Sequence, residues 1–93
     1  MSDDTDQMDD LIDAYLAGKR RFMGFWAEFM STWAESHLSK EEEQAYSEAY
    51  DVVYMGAPGP VAPRDAVVGL LSESEVKARL RDFRERRSGA PPA

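Results

Sequence analysis

The stretch from residue 22 to residue 33 constrains the fold more than any other part of the chain. It carries aromatic and methionine side chains at three- and four-residue spacing, which places them along one face of an α-helix. Such a face must be largely buried, since burying one large apolar side chain stabilises a fold by about 1.5–3 kcal/mol. We expect this face to form the core, and any uncovered part of it to bind a partner. Its members are Phe22, Met23, Trp26, Phe29, Met30 and Trp33.

A second helical pattern precedes this stripe. It runs from Met8 to Leu16 and is separated from Phe22 by Gly18 and three basic residues at 19–21. Glycine costs a helix interior about 1 kcal/mol relative to alanine, a cost that packing can outweigh. We therefore favour one long helix, straight or bent, over about 6–37, rather than two helices that meet near Gly18. Thr5 is suited to cap its start, and residues 1–5 are expected to be a disordered acidic N-terminus.

Two further helices begin with recognisable caps. Ser39 is followed three residues later by Glu42, the pattern of a capping box, which predicts a helix over about 40–54. Its apolar face, which includes Tyr50, is expected to lie against the aromatic stripe. A second capping box at 72–75 predicts a helix over about 73–87, and a short helix is expected at about 64–71. The loop at 56–63 contains three prolines and two glycines, which end the second helix.

These elements predict an all-α fold. A long helix and the second helix form an antiparallel α-hairpin, followed by the Pro/Gly loop at 56–63 and a C-terminal short-helix/helix pair. Residues 6–87 are expected to be one small helical domain, and residues 88–93 a disordered tail. A chain of 93 residues is one domain by length.

Charge and composition exclude several classes of protein. The net charge is −7, and the chain has no cysteine, so disulfides, thiolate metal sites and thiol catalysis are excluded. Residues 1–13 carry six aspartates and no basic residue, whereas residues 76–93 carry six basic and two acidic residues. The first residues do not resemble a secretory signal, and no apolar run reaches the roughly 20 residues of a spanning helix. We expect a cytoplasmic protein.

No residue pattern indicates catalysis. His37 is the single histidine and has no cysteine beside it to complete a metal site. Glu28 and Glu35 share a helix face, which is typical of a solvated surface. The chain has no phosphate-binding loop, nucleophile elbow or zinc-protease motif. We expect a non-enzyme without cofactor or metal.

One segment resembles a known family. The sequence SESEVKARL at 72–80 resembles the recognition helix of sigma-factor-type helix-turn-helix domains, and LSKEEE at 38–43 is similar to the opening of such domains. The resemblance implies a DNA-binding transcriptional regulator that uses residues 64–87. The residues that would contact or attract DNA are Ser72, Lys77, Arg79, Arg81 and Arg84.

The net negative charge favours a different function. An acidic chain is repelled by nucleic-acid phosphates, so we expect a protein–protein interaction module: an accessory subunit, adaptor, regulator or inhibitor. It would bind a protein partner, or itself as an oligomer, through the aromatic stripe and Tyr50. Helix-turn-helix DNA binding is the alternative. A third, weaker hypothesis is attachment to a membrane surface through residues 19–33.

Overall fold

The computed structural model describes residues 3–87 as an all-α chain. Within these residues there is no strand, and a single isolated parallel bridge joins Gly56 to Leu71. This confirms the predicted fold class and the C-terminal short-helix/helix pair. The first two residues and the predicted tail at 88–93 lie outside the described part. The helices are α1 (Asp3–Leu16), α2 (Phe22–Glu35), α3 (Lys40–Tyr54), α4 (Pro63–Val67) and α5 (Glu73–Arg87).

The expectation of one long helix over 6–37 is wrong. The chain leaves the helix after Leu16 and re-enters it at Phe22. Gly18 has φ +79°, and its N–H donates to the Tyr15 carbonyl, while the Lys19 N–H donates to the Ala14 carbonyl. This pair of bonds is a Schellman motif, in which a left-handed glycine ends a helix. The turn folds α2 back along α1, so that the rings of Tyr15 and Phe25 stack with centroids 4.5 Å apart.

The start of α1 also differs from the expectation. The helix begins at Asp3 rather than near residue 6, so the predicted disorder of residues 1–5 does not hold for residues 3–5. Thr5 does not precede the helix as a cap, because it lies in the first turn and is fully buried. The Asp4 carboxylate accepts a hydrogen bond from the His37 N–H at 3.1 Å. Packing and this bond to the α2–α3 loop hold the first turn in place.

The hairpin expected of the aromatic helix is formed by α2 and α3. Phe22 at the start of α2 lies beside Gly56 after the end of α3, and the Trp33 ring lies 4.7 Å from the Tyr50 ring. Helix α5 runs antiparallel to α3, with the Phe83 ring 5.3 Å from the Tyr46 ring. The α5 helix also packs against α1, which in turn packs against α2. The four long helices thus form a closed ring around one core.

The core consists mainly of side chains from α1, α2, α3 and α5, all less than a tenth exposed. Helical spacing on each helix turns these residues inward. Rings dominate the centre and pack edge-on or stacked, geometries that add about 0.5–1.5 kcal/mol beyond burial. The buried hydrophobic residues are Met8, Leu11, Ile12, Tyr15, Phe22, Phe25, Phe29, Tyr46, Ala49, Val52, Val53, Val76, Leu80 and Phe83.

The predicted caps are present to different extents. Ser39 and Glu42 form the complete capping box at the start of α3. At the start of α5 the Ser72 hydroxyl accepts from the Glu75 N–H at 3.3 Å, while the Glu75 carboxylate lies against Arg79 instead.

Hydrogen bonds to residues 71–73 hold the first half of the Pro/Gly loop at 56–63 in place. The Ala57 N–H donates to the Leu71 carbonyl at 2.9 Å, and the Leu71 N–H donates to the Met55 carbonyl at 2.8 Å. The short helix after this loop is α4, five residues long rather than the expected eight.

Candidate interaction surface

The aromatic stripe of α2 divides into an inward and an outward set. Phe22 is 4% exposed and Phe29 is fully buried, so these two of the predicted partner-binding residues lie in the core. Tyr15 of α1 covers the inward set, because its ring lies 6.0 Å from the Phe22 ring and stacks on the Phe25 ring. A second helix therefore covers one side of the stripe.

The other side of the stripe remains at the surface and continues onto α3. Met23 is 56% exposed and Tyr54 is 59% exposed. The Trp33, Tyr50 and Tyr54 rings follow one another, with centroids 4.7 and 6.0 Å apart. We call this surface the aromatic seam; it comprises Met23, Trp26, Met30, Trp33, Tyr50 and Tyr54.

Sequence reasoning missed Tyr54 as part of the surface. It stands four residues after Tyr50, which is the spacing that places two residues on one face of a helix. That spacing is the sequence signal that places Tyr54 beside Tyr50 on α3.

Small residues lie next to the aromatic seam on α2. Gly24, Ala27, Ser31 and Ala34 recur at three- and four-residue spacing and are all exposed. The only charged residues of α2 are Glu28 and Glu35. We call the row of four small residues the small-residue face. Together with the seam it leaves about half of the α2 surface without charge, in a chain in which 31% of residues are charged.

Opposite charges mark the two ends of this surface. At the Met23 end, Arg20 pairs with Glu28, while Lys19 and Arg21 make no ion pair with any described residue. At the Trp33 end, Glu35, Glu43 and Lys40 are likewise unpaired within residues 3–87, and both Glu43 and Lys40 line a shallow depression beside Trp33. The uncharged surface therefore has a positive end and an opposite end where two carboxylates outnumber one lysine.

A polar cluster joins α1, α3 and α5 on the opposite side of the molecule. The Arg84 guanidinium donates to the Asp13 carboxylate at 2.8 Å and lies 3.3 Å from the Asp9 carboxylate. The Tyr46 hydroxyl donates to Asp9 at 2.8 Å. Burial raises the pKa of Asp9, against the opposing effects of Tyr46 and Arg84, whereas the hydrogen bonds from Arg84 lower the pKa of Asp13. These contacts hold three helices together and leave Arg84 only 22% exposed.

Other residues of the expected DNA-binding set also contact neighbouring side chains. Lys77 lies over the Tyr15 ring at 5.3 Å and 3.9 Å from Glu73. Arg79 pairs with Glu75 at 3.3 Å, and the Ser72 hydroxyl caps α5. Arg81 is exposed. Carboxylates of α1 and α5 thus neutralise much of the positive charge of this helix.

The Tyr15 hydroxyl lies between α1 and the start of α5. Burial and a 2.8 Å hydrogen bond donated to Glu73 raise the pKa of its hydroxyl. The bond ties α1 to the start of α5. Because the Tyr15 ring is 1% exposed, this hydroxyl serves the packing of the helices.

Within residues 3–87, no group of three or more His, Asp or Glu side chains is placed to hold a metal ion. His37 is exposed, and Glu28 and Glu35 both lie at the surface of α2.

Comparison with known proteins identifies no relative of this chain. No helix in the described part of the chain has the length and apolar character needed to cross a membrane. No protein family, curated protein or solved structure matches this chain.

Proposed function

We propose that this chain is a small, acidic, non-enzymatic protein–protein interaction module of the cytoplasm. It serves as an accessory subunit, adaptor, regulator or inhibitor and docks through the aromatic seam. The observation that carries this proposal is the seam itself. Six large apolar or aromatic side chains remain partly exposed along two packed helices, with no charged residue among them.

The composition and packing of the seam suit it to protein recognition. Trp and Tyr dominate the energetic centres of interfaces because they bury large areas with few rotatable bonds. The contacts of Trp33 with Tyr50, and of Tyr50 with Tyr54, restrict these rings before a partner arrives. Preorganised side chains lose less conformational entropy on binding. Met23 and Met30 supply flexible apolar surface that adapts to a partner.

Electrostatics support protein binding over the helix-turn-helix alternative. DNA binding requires positive charge free to displace counterions from phosphates. Helix α5 instead directs Arg84 to Asp9 and Asp13, and Arg79 to Glu75. No feature of the described residues adds a positive surface that outweighs the net charge of −7.

A matched pair of variants tests the proposal. Met23→Asp/Tyr54→Asp places two carboxylates in the seam at its most exposed positions, so the fold should be retained. Val67→Asp/Val68→Asp adds the same charge at two apolar residues that are 85% and 70% exposed at the end of α4. Each tagged variant is captured from a lysate that also contains an untagged copy of the chain, with and without nuclease, and circular dichroism checks the helix content.

The two variants should behave differently. We expect a stoichiometric protein, another protein or the untagged copy, to survive nuclease and to accompany both the wild type and the Val67/Val68 variant. Its recovery should fall about tenfold or more with the seam variant, the loss expected when charge enters an apolar interface. Equal recovery with both variants contradicts docking through the seam. Nucleic acid in the eluate, with proteins lost on nuclease treatment, supports DNA binding instead.

A further inference from the structure

We infer that the partner seated on α2 is a second copy of this chain, packed antiparallel through the small-residue face across a two-fold axis. The inference rests on the proposed function, because it names the occupant of the uncharged side of α2, where the small-residue face lies beside Met23 and Met30 of the aromatic seam. Three independent features of α2 support it: the absence of charge on its outward side, the symmetry of its small residues, and the charges at its ends.

The small-residue face allows another helix to approach closely. Helices pack 8–10 Å apart, at a distance set by the side chains at the contact. Gly24, Ala27, Ser31 and Ala34 present at most a methyl or hydroxymethyl group, and all four are exposed. Met23 and Met30 stand beside this row and would pack against the flanks of the second helix. A charged or long side chain in the row would prevent this approach, and none is present.

The small residues are symmetric along the helix. Their spacings are three, four and three residues, so the row reads the same in both directions about residue 29. A two-fold axis at that level places Gly24 opposite Ala34 of the second copy, and Ala27 opposite Ser31. A two-fold interface requires such self-complementarity, since each contact occurs twice. Two parallel copies of α2 would not require the row of small residues to read the same in both directions.

The charges at the ends favour the antiparallel orientation. Lys19 and Arg21 precede α2, and Glu35 ends it; none of them has an ion-pair partner among the described residues. Antiparallel copies bring Arg21 of one copy to within two residues, about 3 Å along the axis, of the level of Glu35 of the other. The long arginine side chain spans that offset. Parallel copies would instead place like charges together, which is unfavourable.

The remaining acidic charge does not oppose this contact strongly. Most aspartates of the chain lie on α1, which packs against a different side of α2 through Tyr15 and Phe25. Asp9 and Asp13 are already paired with Arg84. The register brings Glu28 of the two copies to within two residues of the same level, and each Glu28 is already paired with Arg20 of its own copy. Charges on distant faces of two copies are separated by more than the Debye length, about 8 Å at physiological ionic strength, and are largely screened.

Charge exchange between copies provides the test. Sedimentation equilibrium measures the mass of the full chain up to about 200 µM, which reveals micromolar dissociation constants. We expect the wild type to approach twice 10.5 kDa. Arg21→Glu alone and Glu35→Lys alone should each weaken the dimer by about tenfold or more, because each creates two like-charge contacts. Both substitutions suit the helix dipole of α2, so they should not unfold it.

Mixing the two single variants distinguishes this dimer from other assemblies. In a mixed dimer, Glu at position 21 meets Lys at position 35, and the remaining Arg21 meets the remaining Glu35. The equimolar mixture and the double variant should therefore both recover the wild-type dissociation constant. The charge-matched controls Arg64→Glu on α4 and Asp10→Lys on α1 should form dimers like the wild type.

Three results would overturn the inference: a wild type that stays monomeric at the highest concentration, a mixture no tighter than its components, or controls that weaken the dimer as much as the test variants. A monomeric chain that still captures another protein through the aromatic seam refutes the second copy as partner but leaves the proposed function standing. A monomeric chain that captures nothing refutes both.

Discussion

Replacing Gly56 by alanine tests the packing that joins α2, α3 and α5. A Cβ atom at this position would lie 2.8 Å from Cγ2 of Val76 and 2.9 Å from Cζ of Phe22. Carbon atoms pack best about 3.5–4.0 Å apart, so both side chains would have to retreat by about 1 Å. Neither has room to do so, since Val76 is fully buried and Phe22 is 4% exposed. The substitution forces the core to expand.

The expected loss of stability is the balance of two opposing effects. Overpacking a dense core costs about 1–3 kcal/mol, and replacing glycine recovers about 0.4–1 kcal/mol by restricting the unfolded chain. We expect the free energy of unfolding to fall by about 1–2 kcal/mol, which lowers the melting temperature by about 5–15 °C for a domain of this size. Denaturation in guanidinium chloride, followed by circular dichroism at a fixed temperature, measures this change.

The same loop supplies the control. Gly59 has no heavy atom within 4 Å of its Cβ position and does not have a positive φ. Gly59→Ala should therefore leave the stability unchanged or raise it by up to about 1 kcal/mol. If Gly56→Ala unfolds at the same denaturant concentration as the wild type, the close approach of the loop to Phe22 and Val76 is refuted.

Three further changes test the caps and the polar cluster. Ser39→Ala removes the capping box of α3 and should cost about 1 kcal/mol in urea denaturation, whereas an unchanged midpoint would contradict the cap. Gly18→Ala places a Cβ on a residue with φ +79° and should cost about 1 kcal/mol in the same assay, whereas a stabilised protein would argue for a continuous helix. The pKa of Asp13 is lowered from 3.8 in the fold, so its contribution is present above pH 3.8 and is lost as the pH falls through the lowered value. Asp13→Asn should be less stable than the wild type at pH 7, by under about 1 kcal/mol because Asp13 is half exposed, and the difference should vanish in acid; a difference independent of pH would contradict this role.

Local sequence signals predicted most helix boundaries well. Ser39 and Glu42 located the start of α3, and Ser72 with Glu75 located the start of α5, because caps depend on residues within one turn. The Pro/Gly loop was located for the same reason, since proline cannot continue a helix.

The break between α1 and α2 was missed because periodicity was weighted above a stop signal. The apolar pattern resumes at Phe22 in a phase compatible with one helix. However, Gly18 followed by polar residues is also the usual end of a helix, and the Schellman motif forms there. Tertiary packing determines the outcome: the turn allows Tyr15 to stack on Phe25, a contact that a continuous helix would forbid.

The division of the stripe between core and surface could not be predicted from spacing alone. Phe22, Met23 and Trp26 lie within one turn of α2, and their spacing does not say which neighbour covers which side. That depends on where α1 folds back, and its Tyr15 covers Phe22 while Met23 remains exposed. The partners of Arg84 are equally non-local, since Asp9 and Asp13 lie more than 70 residues away in sequence.

The most direct test of the central claim is photocrosslinking from the aromatic seam in living cells. A benzophenone amino acid replaces Met23, which is 56% exposed in the seam, and in a matched strain it replaces Val67, which is 85% exposed at the end of α4. If the seam binds a protein, light should produce a discrete protein adduct from position 23 and none from position 67. The account is contradicted if position 23 yields no protein adduct, or if both positions yield the same ones.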